Sequence, residues 1–154
     1  MSSARYERVR PVRAEEIDEL GHVNNVAWLD RVIALAQAHS VSAGLAFDDY
    51  VRIGGFLVVR RHVLDYLQSA RPGDVLREET WLSRIHGARV IRHSRFWRES
   101  DGALVFEATT EWAWVEAGTL RARRLPREVL ARFATLAEAP PPPVRPGGSV
   151  TDAA

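Results

Sequence analysis

The residues whose types and spacing could do chemistry fall in one short run, Asp18-Glu19-Leu20-Gly21-His22-Val23-Asn24-Asn25-Val26-Ala27-Trp28. It sets a carboxylate and an imidazole in a tight loop directly ahead of an apolar helix. The first turn of a helix leaves backbone N–H groups unpaired and carries the positive end of the helix dipole. A carboxylate beside such an end has the ingredients of acyl transfer. The N–H groups hold a developing oxyanion, and the carboxylate attacks or deprotonates water. The residues alone also fit an acidic turn capped by asparagine, the commonest use of these types and the reading that local features favour. Both readings stay open at this level.

The rest of the chain narrows the chemistry by what it lacks. None of the 154 residues is cysteine, which excludes disulfides, thiolate nucleophiles, Cys-ligated zinc and iron–sulfur clusters. All 21 basic side chains are arginine, so there is no Schiff-base or P-loop lysine and phosphate contacts must use guanidinium forks. No G-x-S-x-G, G-x-x-x-x-G-K, G-x-G-x-x-G or H-E-x-x-H pattern occurs. The histidines at 22, 39, 62, 86 and 93 lack metal-ligand spacing, and no metal is expected. His39, His86 and His93 read as surface or locally satisfied, while His62, on an alternating segment, is left undecided. A net charge of +1 argues against nucleic acid as a partner. The Arg/aromatic interleaving of ARVIRHSRFWRE, which single-stranded nucleic acid would use, fits a strand face as well. No apolar run approaches the ~20 residues of a membrane helix, and the charged N-terminus lacks the apolar core of a secretory leader. A cytoplasmic address is expected.

Long elements must position the Asp18 run. The segment 26–38, VAWLDRVIALAQA, has only Asp30, Arg31 and Gln37 as strongly polar residues. A surface helix would show a polar half, so this one is expected to be wrapped. Tyr6 to Arg13 reads as a strand. After Gly44 the texture changes to FLVVRRHVLDYL, VLREETWLSRI, ARVIRHSRFWRE and ALVFEATTEWAWVE, separated by Pro72-Gly73-Asp74, Gly87 and Asp101-Gly102. These read as successive β segments of an antiparallel meander, followed by a short TLRARRL segment. Strands this long, ~33 Å for ten residues, must curve within a small domain. Pro126 opens a second short helix, REVLARFATL. The expected class is α+β, a long curved antiparallel sheet around one central helix, in a single domain over 1–137. Residues 138–154, with four consecutive prolines, are expected to form a disordered tail whose removal leaves folding intact.

The Asp18 run resembles the active-site loop of the hotdog-fold thioesterases, specifically the 4-hydroxybenzoyl-CoA thioesterase-like group. There D-x-x-G, often followed by H-V-N-N and an aromatic residue, precedes the central helix. LDYLQSARPGD, ETWLSRI before G-A-R, DGALVFEATTEWAWV and a closing L-P-x-E extend the likeness over nearly the whole ordered chain. The run is also similar to the D-x-N-x-H-V-N-N segment of plant acyl-ACP thioesterases, with Leu20 where that segment has asparagine. The resemblance implies a hotdog fold and hydrolysis of an acyl-CoA thioester to free acid and CoA. It makes Asp18 the nucleophile or general base, and puts the Asn25 backbone N–H on the thioester carbonyl. His22 and Asn24 would shape the loop and bond the carboxylate or substrate, and Gly21 would allow the turn. Coenzyme A is then part of the substrate and no separate cofactor is expected. Its phosphates suit arginine forks, with Arg60, Arg61 and Arg89 as candidates and Arg84 beside them. Trp28, Phe56 and Trp81 are either pocket lining or core. Homodimers or homotetramers are expected, since family members pair sheet edge to sheet edge with active sites at the interface, and a long open edge invites pairing. The alternatives are an acyl-ACP thioesterase of a fatty-acid or polyketide pathway and a non-catalytic acyl-CoA-binding module. A hotdog hydratase, whose Asp/His motif differs, fits less well.

Overall fold

Between Gly55 and Glu116 β-branched and aromatic residues recur at alternate positions, and the chain answers with long strands. A computed structural model describes residues 5–135; the proposed tail at 138–154 and the domain boundary at 137 lie outside the described residues. The strands are β1 (Arg5–Pro11), β2 (Gly55–Tyr66), β3 (Val75–His86), β4 (Arg89–Arg98) and β5 (Leu104–Glu116). All pair antiparallel in one sheet of order β1-β3-β4-β5-β2. Three helices accompany them: α1 (Asn25–Ser42), α2 (Phe47–Ile53) and the single turn α3 (Arg127–Leu130). None of the described helices is long and apolar enough to cross a membrane.

On β4 the period of two is plain, because Val90, Arg92, Ser94 and Phe96 are buried while Ile91, His93 and Arg95 are only half-buried. Phe96 and Phe106 of the sheet stack against Trp28 of α1, the latter with ring centroids 4.8 Å apart. Val32 and Leu35 on the same helix are fully enclosed. Each such side chain contributes ~1.5–3 kcal/mol by leaving water, and together they hold α1 across the sheet. Trp28 and Trp81 are therefore core, whereas Phe56 is half-buried on a cavity wall.

Several sequence expectations need correction. The strands are not one simple meander: β3, β4 and β5 follow one another, but β2 lies beyond β5 at one edge of the sheet, with β1 at the other. TLRARRL forms no strand, only a bridge between Ala122 and Val115. The C-terminal helix is one turn, and α2 fills a segment with no helical expectation. The helix itself is longer than 26–38 and is not wrapped on every side. Ala27, Trp28, Arg31, Val32, Leu35, Ala36 and His39 are buried, but Val26 and Val41 are 69% and 60% exposed, with Leu29 and Ile33 half-exposed between them. These four sit three, four and eight residues apart, which is one helical stripe. The sheet covers one side of α1 and leaves a second apolar stripe open.

Candidate active site

A short 3-10 turn, Ala14–Glu16, leads into the loop that carries Asp18. Ile17 and Val23 close the loop as an antiparallel bridge, the Asp18 N–H donates to the His22 carbonyl at 2.9 Å, and Gly21 donates back to the Asp18 carbonyl. The turn requires Gly21 at φ +79°, a left-handed conformation that side chains disfavour. Asp18 is exposed, and its Oδ1 accepts from the Leu20 N–H at 2.9 Å and the His22 N–H at 3.5 Å. Oδ2 has no hydrogen-bond partner among the described residues. One carboxylate oxygen is anchored and the other faces outward. His22 is half-buried beside it.

The loop delivers the chain to α1 through Asn24, whose Oδ1 caps the Ala27 N–H at 2.8 Å. Asn25 is the first helical residue. The N–H groups of Asn25 and Val26 have no partner among the described residues and remain at the positive end of the helix. They open an 18-residue helix that begins two residues after the bridge closing the Asp18 loop.

What fixes that placement was not legible as site chemistry in the sequence. Glu16, 4% exposed, accepts two bonds from Arg31 of α1 through Nε and Nη2, and its backbone carbonyl accepts from both the backbone N–H and Nδ2 of Asn24. Arg31 also donates to the Pro11 carbonyl at 2.7 Å and reaches Glu78 of β3 at 3.4 Å. Glu78, fully enclosed, is held in addition by Arg8 and Arg10. Loop, helix cap and sheet thus meet on two buried carboxylates. Burial pushes the Glu16 carboxyl up, but the bonds from Arg31 and Arg13 outweigh it and hold the group below the ordinary carboxylate value. The one basic residue in an apolar helix stretch, Arg31, was the available signal.

The candidate arginines lie elsewhere on the chain. Arg60 and Arg61 are exposed on β2, at a bulge between Val59 and Arg61, and their side chains donate no hydrogen bond to any described residue. Arg84 is exposed on β3. Arg89 is already engaged, its Nε and Nη2 holding both oxygens of Glu111 at 2.9 and 2.8 Å. That bond, with the charges of Arg61 and Arg60 nearby, lowers the Glu111 carboxyl. Within one chain these arginines do not touch the Asp18 loop, which meets the sheet at Ala70, past the end of β2. His62 bonds Thr110 Oγ1 at 2.9 Å, and His93 bonds Ser83 Oγ at 2.7 Å. Among the described residues no cluster of His, Asp or Glu is arranged to hold a metal ion.

A helix laid across a curled five-stranded antiparallel sheet, with a carboxylate loop at the helix start, defines a hotdog-type α+β protein. The chain belongs to the thioesterase-like superfamily, which it matches over residues 12–133. Among curated relatives it is 32% identical over 76 residues to the acyl-CoA thioesterase YbgC of Haemophilus influenzae, a stretch covering 49% of this chain and 54% of that protein. The match thus spans about half the length of the curated relative. Among solved structures, a 1,4-dihydroxy-2-naphthoyl-CoA thioesterase from Synechocystis superposes with a TM-score of 0.78 at 15% identity, covering 88% of this chain and 99% of that one. A Staphylococcus aureus protein solved in complex with CoA superposes with a TM-score of 0.82 at 18% identity, covering 98% and 97%. At these identities the two structures establish the fold.

Proposed function

We propose that the protein hydrolyses an acyl-CoA thioester to the free acid and CoA. The observation that carries this reading is the Asp18 carboxylate, one oxygen anchored and one open, on the loop that leads directly into the unpartnered N–H groups of Asn25 and Val26. A thioester carbonyl is electrophilic and its thiolate leaves readily, so a carboxylate and an oxyanion site suffice. Asp18 either attacks the carbonyl carbon, expelling CoA thiolate and leaving an acyl anhydride for water to open, or removes a proton from the attacking water. In both routes negative charge grows on the carbonyl oxygen, where preorganised N–H donors stabilise it most. His22 and Asn24 hold the loop in shape. Arg60 and Arg61, exposed and without a hydrogen-bonded acid, suit the phosphates of CoA.

Hydrolysis is tested with a panel of short aliphatic, long aliphatic and aromatic acyl-CoA esters, following free thiol by colour. At least one class is expected to release thiol at a rate proportional to enzyme. CoA binding without thiol release from any ester would leave a binding module in place of an enzyme.

We further propose that the working unit is a dimer or a tetramer built from it. β2 is an unpaired edge with Val59, Val63 and Tyr66 exposed, and the open stripe of α1 adds Val26 and Val41. Pairing two β2 edges would cover apolar surface that one chain leaves in water. Sedimentation is expected to give two or four times the 17.3 kDa chain mass. A fully active monomer at micromolar concentration would remove the shared site from this reading.

A further inference from the structure

A cavity of about 550 Å³ opens between the C-terminal half of α1, α2 and the sheet. That volume lies within the ~300–1,000 Å³ of small-molecule sites. It is not the space in front of Asp18: Ser40 on its wall lies roughly 20 Å along the helix axis from Asn25, at ~1.5 Å per residue. Its walls are apolar, with Leu45, Phe56, Leu57, Leu82, Trp112 and Phe133 among them.

The same cavity is lined by one charged side chain, Arg92 of β4, itself only 5% exposed. Among the described residues the Arg92 side chain makes two bonds, both through Nη1, to Nδ1 of His39 at 2.9 Å and Oγ1 of Thr80 at 3.0 Å. Because the guanidinium only donates, His39 must accept, so that imidazole brings no charge. Tyr50, also on the wall, shares a hydrogen bond with Ser40 Oγ at 2.6 Å, and burial keeps its phenol neutral by raising it. No carboxylate among the described residues hydrogen-bonds or pairs with Arg92. Burial lowers the guanidinium to about 10, which still leaves it charged at neutral pH. An ion taken from water without a counter-ion costs several kcal/mol.

The unused edge of Arg92 indicates what would relieve that cost. Nε and Nη2 have no partner among the described residues, and neither is among the polar atoms sealed from solvent. Elsewhere in this protein that same edge holds a carboxylate in two parallel bonds, Arg31 on Glu16 and Arg89 on Glu111. We infer that the cavity binds an apolar acid with its carboxylate on the Nε/Nη2 edge of Arg92 and its hydrocarbon or aromatic body along the apolar wall. Two sources carry that chemistry: a free carboxylic acid, and an acyl thioester whose chain ends in a second carboxylate. The site is separate from Asp18, so its occupancy is measurable whether or not the protein hydrolyses thioesters.

The test uses the full chain at neutral pH, titrated with octanoate and, separately, with 1-octanol, followed by calorimetry and by the fluorescence of Trp112 on the cavity wall. Octanoate is expected to bind at least tenfold more tightly than the alcohol. In Arg92→Met, which replaces the buried ion by an apolar side chain, the two affinities are expected to converge to within about twofold. A second arm competes bound octanoate with suberyl-CoA and octanoyl-CoA, each supplied as its non-hydrolysable thioether so that no free acid is released. Selective displacement by suberyl-CoA assigns the site to acid-ended thioesters, and no displacement by either assigns it to free acids. Equal affinity of acid and alcohol in the wild-type protein, or no binding of either, overturns the inference without reference to the variant. So does an acid preference that survives intact in a folded Arg92→Met protein.

Discussion

Asp18→Asn is expected to lower turnover of the best acyl-CoA substrate by ~10²-fold or more, the usual scale for removing a positioned base or nucleophile. The substitution keeps size and shape. An amide oxygen still accepts from the Leu20 N–H, which Oδ1 now takes at 2.9 Å. What disappears is the negative charge and the basicity of the outward oxygen. The loop should hold, since Gly21, the Ile17–Val23 bridge and the Asn24 cap are untouched. Stability should change by no more than ~1–2 kcal/mol, the range for a capping or turn residue. Affinity for a non-hydrolysable acyl-CoA analogue should change far less than kcat, because Asp18 is not asked to bind phosphate or acyl chain. If Asp18 were only a turn former, the pairing would reverse, with modest destabilisation and little change in rate per folded molecule. Measuring kcat, analogue affinity and thermal midpoint on one preparation separates the two. A variant that turns over at near wild-type rate would sink the mechanism and leave the fold and the family standing.

That the test can be aimed at one residue reflects what a sequence carries well. The Asp18 loop is local: an Asx-type turn, a glycine needing positive φ and an asparagine cap all declare themselves within eight residues, and each stands where expected. The long strands were legible for the same reason, since alternation is a property of neighbours. The failures are those of distance. Nothing in FLVVRRHVLDYL says that it pairs with ALVFEATTEWAWVE across the sheet instead of with the strand that follows it. The apolar texture of α1 correctly required burial, but not how much of it one sheet supplies, and the Val26–Val41 stripe was left over. Glu16, Arg31, Glu78 and Arg92 escaped because burial of a charge depends on what the rest of the chain places around it. A lone arginine in an apolar stretch looks the same whether it snorkels to solvent or ends in a buried pair.

The buried pair on Arg31 is where this gap has the largest consequence for stability. Arg31→Met removes a guanidinium 2% exposed that bonds Glu16 twice and reaches Glu78. Glu78 keeps Arg8 and Arg10, but Glu16 keeps only Arg13, whose own side chain is 58% exposed. Breaking one side of a buried pair strands the other charge, at a cost of about 3–5 kcal/mol. For a chain of this length that is a fall in Tm on the order of 10 °C. The pH dependence gives the mechanism a signature. In the wild-type protein the Glu16 carboxyl lies below its ordinary value, so its contribution is present above about pH 4.5 and is lost as the pH falls through the folded value. Without Arg31 two of the contributions that lower the Glu16 carboxyl are gone, and its folded value rises from the wild-type position toward the burial-raised side. The deficit of the variant against wild type should then be largest near pH 7 and narrow toward pH 4, as Glu16 takes up a proton. The double variant Arg31→Met/Glu16→Gln removes both charges and should recover much of the lost Tm, since an apolar or neutral replacement of a whole pair is often tolerated. It should not recover turnover to the same degree, because the two Arg31–Glu16 bonds that tie the segment ahead of the Asp18 loop to the body of α1 are still gone. A deficit independent of pH, or a double variant as unstable as Arg31→Met alone, would show that Arg31 acts through packing and not through its pair with Glu16.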